Sequence, residues 1–195
     1  MIKVSEYYSA FGPAAPIQPR TPKLTTGLEL LKKNAERLME SIEIKLEHEN
    51  LEQGRKELLL HPNIPKPLHS LAPRTIKGQK WWDETRKKAY AAQDYHCHAC
   101  GIHQSRARYR QWLEAHEIYD INYQTGEVKL IEMAALCHAC HNFIHDGRMQ
   151  TMTQKGKYDL RKYLTILKRG NQIIGSNWKE PFMQANPLNL KSKLI

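Results

Sequence analysis

Two C-x-x-C turns hold all four cysteines of the chain, Cys97 with Cys100 and Cys137 with Cys140. Thiols at this spacing form half of a tetrahedral zinc site, because one turn presents two sulfurs at the separation a four-coordinate ion needs. In a reducing compartment they are metal ligands in preference to disulfides. An ion held by all four would be structural, since no position is left open for water or substrate. The interval from Cys100 to Cys137 exceeds the roughly fifteen to twenty residues of a simple zinc ribbon. A further element must therefore be inserted between the two turns.

Catalytic chemistry, if the chain has any, falls to the histidines beside those turns. His141 and His145 lie four residues apart in CHNFIHDGRM, which on a helix puts both on one face, able to share a second metal ion. His116, within LEAHEIYD, sits on an expected strand and has the side chain best suited to accept a proton near neutral pH. One base and one cation are the minimum for phosphodiester hydrolysis: the base activates water, and the cation stabilises charge on the phosphate and leaving oxygen. Arg106, Arg108 and Arg110 alternate just after the first turn, and Arg148 follows the second histidine segment. Guanidinium groups at those places suit phosphate oxygens.

The elements that must position these groups follow from periodicity. WWDETRKKAYAAQ, from Trp81 to Gln93, reads as a helix leading into the first cysteine pair. Leu113 to Tyr123 and Val128 to Ile131, parted by Gln124-Thr125-Gly126-Glu127, read as two strands of a hairpin, the inserted element. The segment after Cys140 reads as a short helix ending near Gly147, and Tyr158 to Lys168 as another, with an irregular tail from Gly170 onward. Upstream, Leu28, Leu31, Ala35, Leu38, Ile42, Leu46 and Leu51 form an apolar stripe over one long or two shorter helices, with Gly54 as a break. That stripe is a packing face for the core or for a second copy of the chain, which makes a homodimer through the N-terminal helices conceivable. Pro62, Pro65, Pro67 and Pro73 mark a linker, and Pro13, Pro16, Pro19 and Pro22 an extended arm.

Lys and Arg number 30 against 20 Asp and Glu, a net charge of +10, which draws polyanions and above all nucleic acid. No stretch reaches the roughly 18 apolar residues of a membrane span, and the N-terminus lacks the apolar core of a signal peptide. A cytoplasmic protein with no membrane partner is expected.

Taken in order, C-x-x-C, then His-Glu on an apolar strand, then L-C-x-x-C-H-x-x-x-H-x-G resembles the HNH endonuclease family. WWDETRKKAYAAQDYHCHACG, LEAHEIYDINY and ALCHACHNFIHDGR are similar in particular to HNH proteins common in bacteriophage genomes, and a phage protein would work in the host cytoplasm. The resemblance covers about residues 74 to 150 and, more loosely, the chain as far as Trp178. It implies an α+β fold: a mainly helical chain around a small zinc-stapled ββα-metal core. It further implies that His116 is the general base, that His141 and His145 bind the catalytic divalent ion, and that Cys97, Cys100, Cys137 and Cys140 hold structural zinc. Two positions depart from the family pattern. Ala115 stands where many members carry Asp or His, and the middle Asn is missing, with Glu132 nearest in register and Asn122 an alternative upstream. Either Glu117, Asp120 or Glu132 then supplies an oxygen ligand or the active site is degraded, and the catalytic ion could be magnesium, manganese, nickel or zinc.

The expected organisation is an extended arm at 1–24, an amphipathic helical region at 25–60, a proline-rich linker at 61–75, the HNH core at 76–150, and a C-terminal helix and tail at 151–195. The expected function is metal-dependent hydrolysis of phosphodiester bonds in DNA. The alternative is a non-catalytic zinc module that binds nucleic acid or a protein partner.

Overall fold

The alternating segment after Leu113 pairs as an antiparallel hairpin, β1 Leu113–Asn122 with β2 Glu127–Cys137. The second strand is longer than its periodicity suggests, because Met133 to Cys137 lose the alternation and turn apolar where that end of β2 is buried on both faces. Asn122 closes the hairpin: its Oδ1 accepts hydrogen bonds from the backbone N–H groups of Gln124 (3.0 Å) and Thr125 (3.2 Å), a local turn that occupies this residue. The register sets Leu113 opposite Cys137 and His116 opposite Ala134, with one bulge between Ile118 and Tyr119.

The computed structural model describes residues 22–61, 73–122, 124–125 and 127–182. Most of the expected arm and linker, and the tail beyond residue 182, lie outside them. The chain divides into two units, Met1–Asn34 and Ala35–Ile195. Helix α1, Pro22–Glu40, starts in the first and ends in the second. The helix expected to continue toward residue 60 stops there. Residues beyond Ile42 instead spend backbone hydrogen bonds on the first cysteine turn, Asn50 N–H to Cys100 O (3.1 Å) and Arg55 N–H to His98 O (2.6 Å). A 3₁₀ turn at Lys56–Leu60 then buries Leu58 and Leu59.

Helix α2, Pro73–Ala92, begins earlier than the sequence suggests and is interrupted at Gly78, whose φ of +80° suits glycine. Strand β2 runs directly into α3, His138–Ile144, followed by α4, Asp146–Gln154, and α5, Leu160–Ile174. Gly147 does not end a helix; it lies in the first turn of α4. Helix α5 likewise passes through Gly170 because that glycine lies against the Phe143 ring, where a Cβ would overlap the aromatic carbons. Asp159 caps α5 by accepting from the Lys162 N–H at 2.6 Å, and Gly175 ends it in the left-handed conformation. Between α3 and α5, Phe143, Ile144, Leu164 and Leu167 are buried; truncating either leucine to alanine would cost about 2–5 kcal/mol. The fold is mixed: helices around one small two-stranded sheet, with four cysteines clustered beside it. Among the described residues no helix is long and apolar enough to cross a membrane.

Candidate metal centres

The first cysteine turn folds back on itself through Gly101 N–H to Cys97 O (2.8 Å) and Cys97 N–H to Ile102 O (2.9 Å). Gly101, at φ +69°, leaves no room for a side chain against the backbone of Asn50. His98 ties this turn to β2: its N–H donates to Ala135 O, and its Nδ1 accepts from the Ala135 N–H, both at 2.8 Å. The second turn spans the junction of β2 and α3, with Cys137 the last residue of the strand and Cys140 in the first helical turn.

All four thiols are buried and free, and their sulfurs lie within 4.8 Å of one another. Cys100 Sγ and Cys137 Sγ are 3.9 Å apart. Four sulfurs about 2.3 Å from a tetrahedral zinc would be separated by about 3.8 Å, so these residues form a possible metal-binding site compatible with structural zinc. Arg169 of α5, 3% exposed, donates to Cys100 Sγ at 3.2 Å and to Cys140 Sγ at 3.5 Å, one sulfur from each turn. Its charge is met on the other side by Glu49, which accepts from Nε at 2.9 Å. A buried guanidinium aimed at sulfur is the environment a cluster of thiolates needs.

The second centre lies where β1 faces α3. Alternation on the strand puts Glu114 and His116 on one face, while His141 and His145 stand one helical turn apart. His116, His141 and His145 form a group whose candidate ligand atoms lie within 4.8 Å of one another. His116 Nδ1 is 3.1 Å from His145 Nε2, and the His141 ring centroid is 5.6 Å from that of His116 and 4.8 Å from that of His145. Burial, reinforced by the neighbouring His145, His141 and His61, pushes the His116 imidazole down to about 2. Burial, with His141, Lys179, His61 and Arg148 around it, takes His145 to about 4. Both rings are thus neutral at physiological pH and offer lone pairs to a cation.

Three groups that the sequence did not single out hold these rings. Glu114 Oε2 is 2.6 Å from His141 Nδ1, and Oε1 is 2.7 Å from His138 Nδ1. Burial alone would raise this carboxyl, but the two histidine hydrogen bonds outweigh it and hold Glu114 well below the usual carboxylate range. A carboxylate only accepts, so Nδ1 of His141 carries a hydrogen toward Glu114, and Nε2 is the ring nitrogen left to face a cation. His61 stands behind His116, with Nδ1 3.5 Å from His116 Nε2 and Nε2 at 3.1 and 3.2 Å from the backbone N and O of Tyr119, beside the bulge. Lys179 reaches the last carbonyls of α3, with Nζ 3.0 Å from Ile144 O and 2.6 Å from Asp146 Oδ1, and so fixes the helix end from which His145 projects.

The suggested oxygen ligands fall elsewhere. Glu132 pairs with Arg55 at 2.6 Å, Asn122 is engaged in the hairpin turn, and neither Glu117 nor Asp120 belongs to the histidine group. Of the arginines, Arg110 Nη1 lies 3.4 Å from Glu114 Oε1, and Arg148 is among the charges acting on His145. Arg106 and Arg108 line a different cleft, with Glu43, Glu47 and Glu49.

Comparison with known proteins finds no matching family, no similar characterised protein and no similar solved structure.

Proposed function

We propose that the chain is a metal-dependent endonuclease of the HNH type that hydrolyses phosphodiester bonds in DNA, with the cysteine site as its structural zinc staple. The observation that carries this reading is the convergence of His116, His141 and His145, drawn from a strand and a helix, on one small volume beside that staple.

The 3.1 Å approach of His116 Nδ1 to His145 Nε2 supports a ligand role for His116 in place of the general base implied by the resemblance. Nitrogens bound about 2.0–2.1 Å from one tetrahedral ion stand about 3.3–3.4 Å apart, close to the spacing of this pair. Three protein ligands leave a position open, as catalytic sites require. A divalent ion held there supplies a Lewis acid and a bound water acidic enough to ionise near neutral pH. Imidazole donors favour zinc or nickel over magnesium or manganese. Glu114 keeps Nε2 of His141 available, and Arg110 and Arg148 flank the rings with guanidinium groups that fit phosphate oxygens.

The test is conversion of supercoiled plasmid to nicked or linear form with magnesium, manganese, nickel or zinc supplied in turn, comparing the parent with His141→Ala and His145→Ala. Metal-dependent cutting lost in both variants supports the reading. Cutting that survives both substitutions, or no cutting with any ion, leaves the zinc module that binds without catalysis.

A further inference from the structure

Next to the histidine centre, the residues that lead from the first cysteine turn into β1 carry two partly exposed aromatic rings that hydrolysis itself does not use. Trp112 is 53% exposed and Tyr109 40% exposed, and each has a cation over its ring. The guanidinium carbon of Arg110 lies 5.1 Å from the Trp112 centroid, and Nζ of Lys162, from α5, lies 4.7 Å from that of Tyr109. Tyr109 is held at φ +75°, a left-handed conformation that a bulky side chain adopts only at a cost. The surrounding fold therefore holds this residue against a local backbone preference.

The strip is continuous with the proposed centre. Arg110 Nη1 is 3.4 Å from Glu114 Oε1, and Glu114 Oε2 is 2.6 Å from His141 Nδ1. Trp112 immediately precedes β1, two residues before Glu114.

We infer that this strip binds an unpaired stretch of DNA, with one base stacked on Trp112 and adjoining phosphates on Arg110 and Lys162, feeding the strand toward the histidines. Aromatic faces flanked by cations are how proteins grip single strands without reading sequence. In an intact duplex each base face is already covered by its neighbours, so an indole on a protein surface can stack only on a base that is unpaired or terminal. The net charge of +10 complements the strand. The inference deepens the nuclease reading by naming its substrate as DNA with unpaired bases, and it rests on that reading for the direction of the strand.

Binding is read by fluorescence anisotropy of labelled oligothymidylate, and of a labelled duplex of equal length, on the metal-loaded full chain. The single strand should bind more tightly than the duplex. Trp112→Ala should weaken single-strand binding about tenfold, Trp112→Phe should restore most of it, and Ile131→Ala, which removes another exposed hydrophobe, should change nothing. Arg110→Ala and Lys162→Ala should each flatten the slope of log affinity against log salt by about 0.7. Trp112 is exposed, so its variants should melt at the parent's temperature; should the alanine variant fail to fold, the Arg110 and Lys162 slopes still decide. Equal affinity for duplex and single strand, or a Trp112→Ala variant that binds like the parent, overturns the inference. A chain that grips the oligonucleotide through Trp112 yet never cuts plasmid sinks the nuclease reading and leaves strand binding standing; a chain that cuts but ignores Trp112 does the reverse.

Discussion

Glu114 bridges two imidazoles, His141 Nδ1 at 2.6 Å and His138 Nδ1 at 2.7 Å, so one carboxylate fixes the tautomer and direction of a candidate metal ligand. Such outer partners typically govern metal affinity and activity by about 10- to 100-fold. Glu114→Gln offers one acceptor oxygen and one amide that can only donate, so at least one of the two N–H groups loses its partner. Titration calorimetry with zinc or nickel should show the weaker binding, with a parallel fall in plasmid nicking. Unchanged affinity in this variant would mean that His141 is not held by Glu114 for metal.

Arg169 gives a second prediction, this one about stability. Its guanidinium is buried between two sulfurs and Glu49, so Arg169→Met strands a buried carboxylate and removes donors from Cys100 and Cys140. Breaking a buried ion pair from one side costs about 3–5 kcal/mol, to be read from urea denaturation of the metal-loaded protein. Adding Glu49→Leu removes the stranded charge and should recover part of the loss, a coupling that independent surface residues would not show.

Much of this architecture is legible in the sequence wherever the interaction is local. The C-x-x-C spacing, the four-residue interval between His141 and His145 and the turn between the strands each depend on neighbours along the chain. Glu114 was within reach too, since Glu-x-His on a strand places both side chains on one face. His61, Arg169 and Lys179 were not, because each meets its partner across tens of residues: His61 reaches His116, Arg169 reaches Cys100, and Lys179 reaches the end of α3. No periodicity encodes such a contact. The failed stop signals have the same origin. Gly170 reads as a helix breaker by propensity, yet it is the residue that lets α5 approach Phe143.

Alkaline pH should loosen the fold through Tyr163. Burial raises its hydroxyl from 10 to about 12, only partly offset by the hydrogen bond from the Phe182 N–H, with Asp146 adding to the rise. A phenol with a raised folded-state value binds its proton more tightly when native than when unfolded. Its contribution to stability is therefore fully present below pH 10 and is lost as pH climbs toward 12. Melting temperature measured against pH should fall across that window, and the fall should be smaller in Tyr163→Phe. An identical alkaline profile in the two proteins would rule out this residue as the source.

On the proposed reading metal removal should proceed in two stages, because the cysteine group and the histidine group differ in ligand number and charge. Four thiolates closing a buried tetrahedron hold an ion far more tightly than three neutral imidazoles with an open position. The cysteine site also joins the first turn, the end of β2 and the start of α3, so its binding energy is folding energy. An ion at the proposed histidine site would only steady rings on elements that are already paired. A mild chelator should abolish plasmid cutting while far-UV circular dichroism stays unchanged, and a stronger one should then melt the chain as the last equivalent of zinc leaves. Cys137→Ser should reproduce the second stage without any chelator, whereas His145→Ala should reproduce only the first. Loss of structure and loss of cutting at the same chelator strength would show that the histidine rings hold no separate ion.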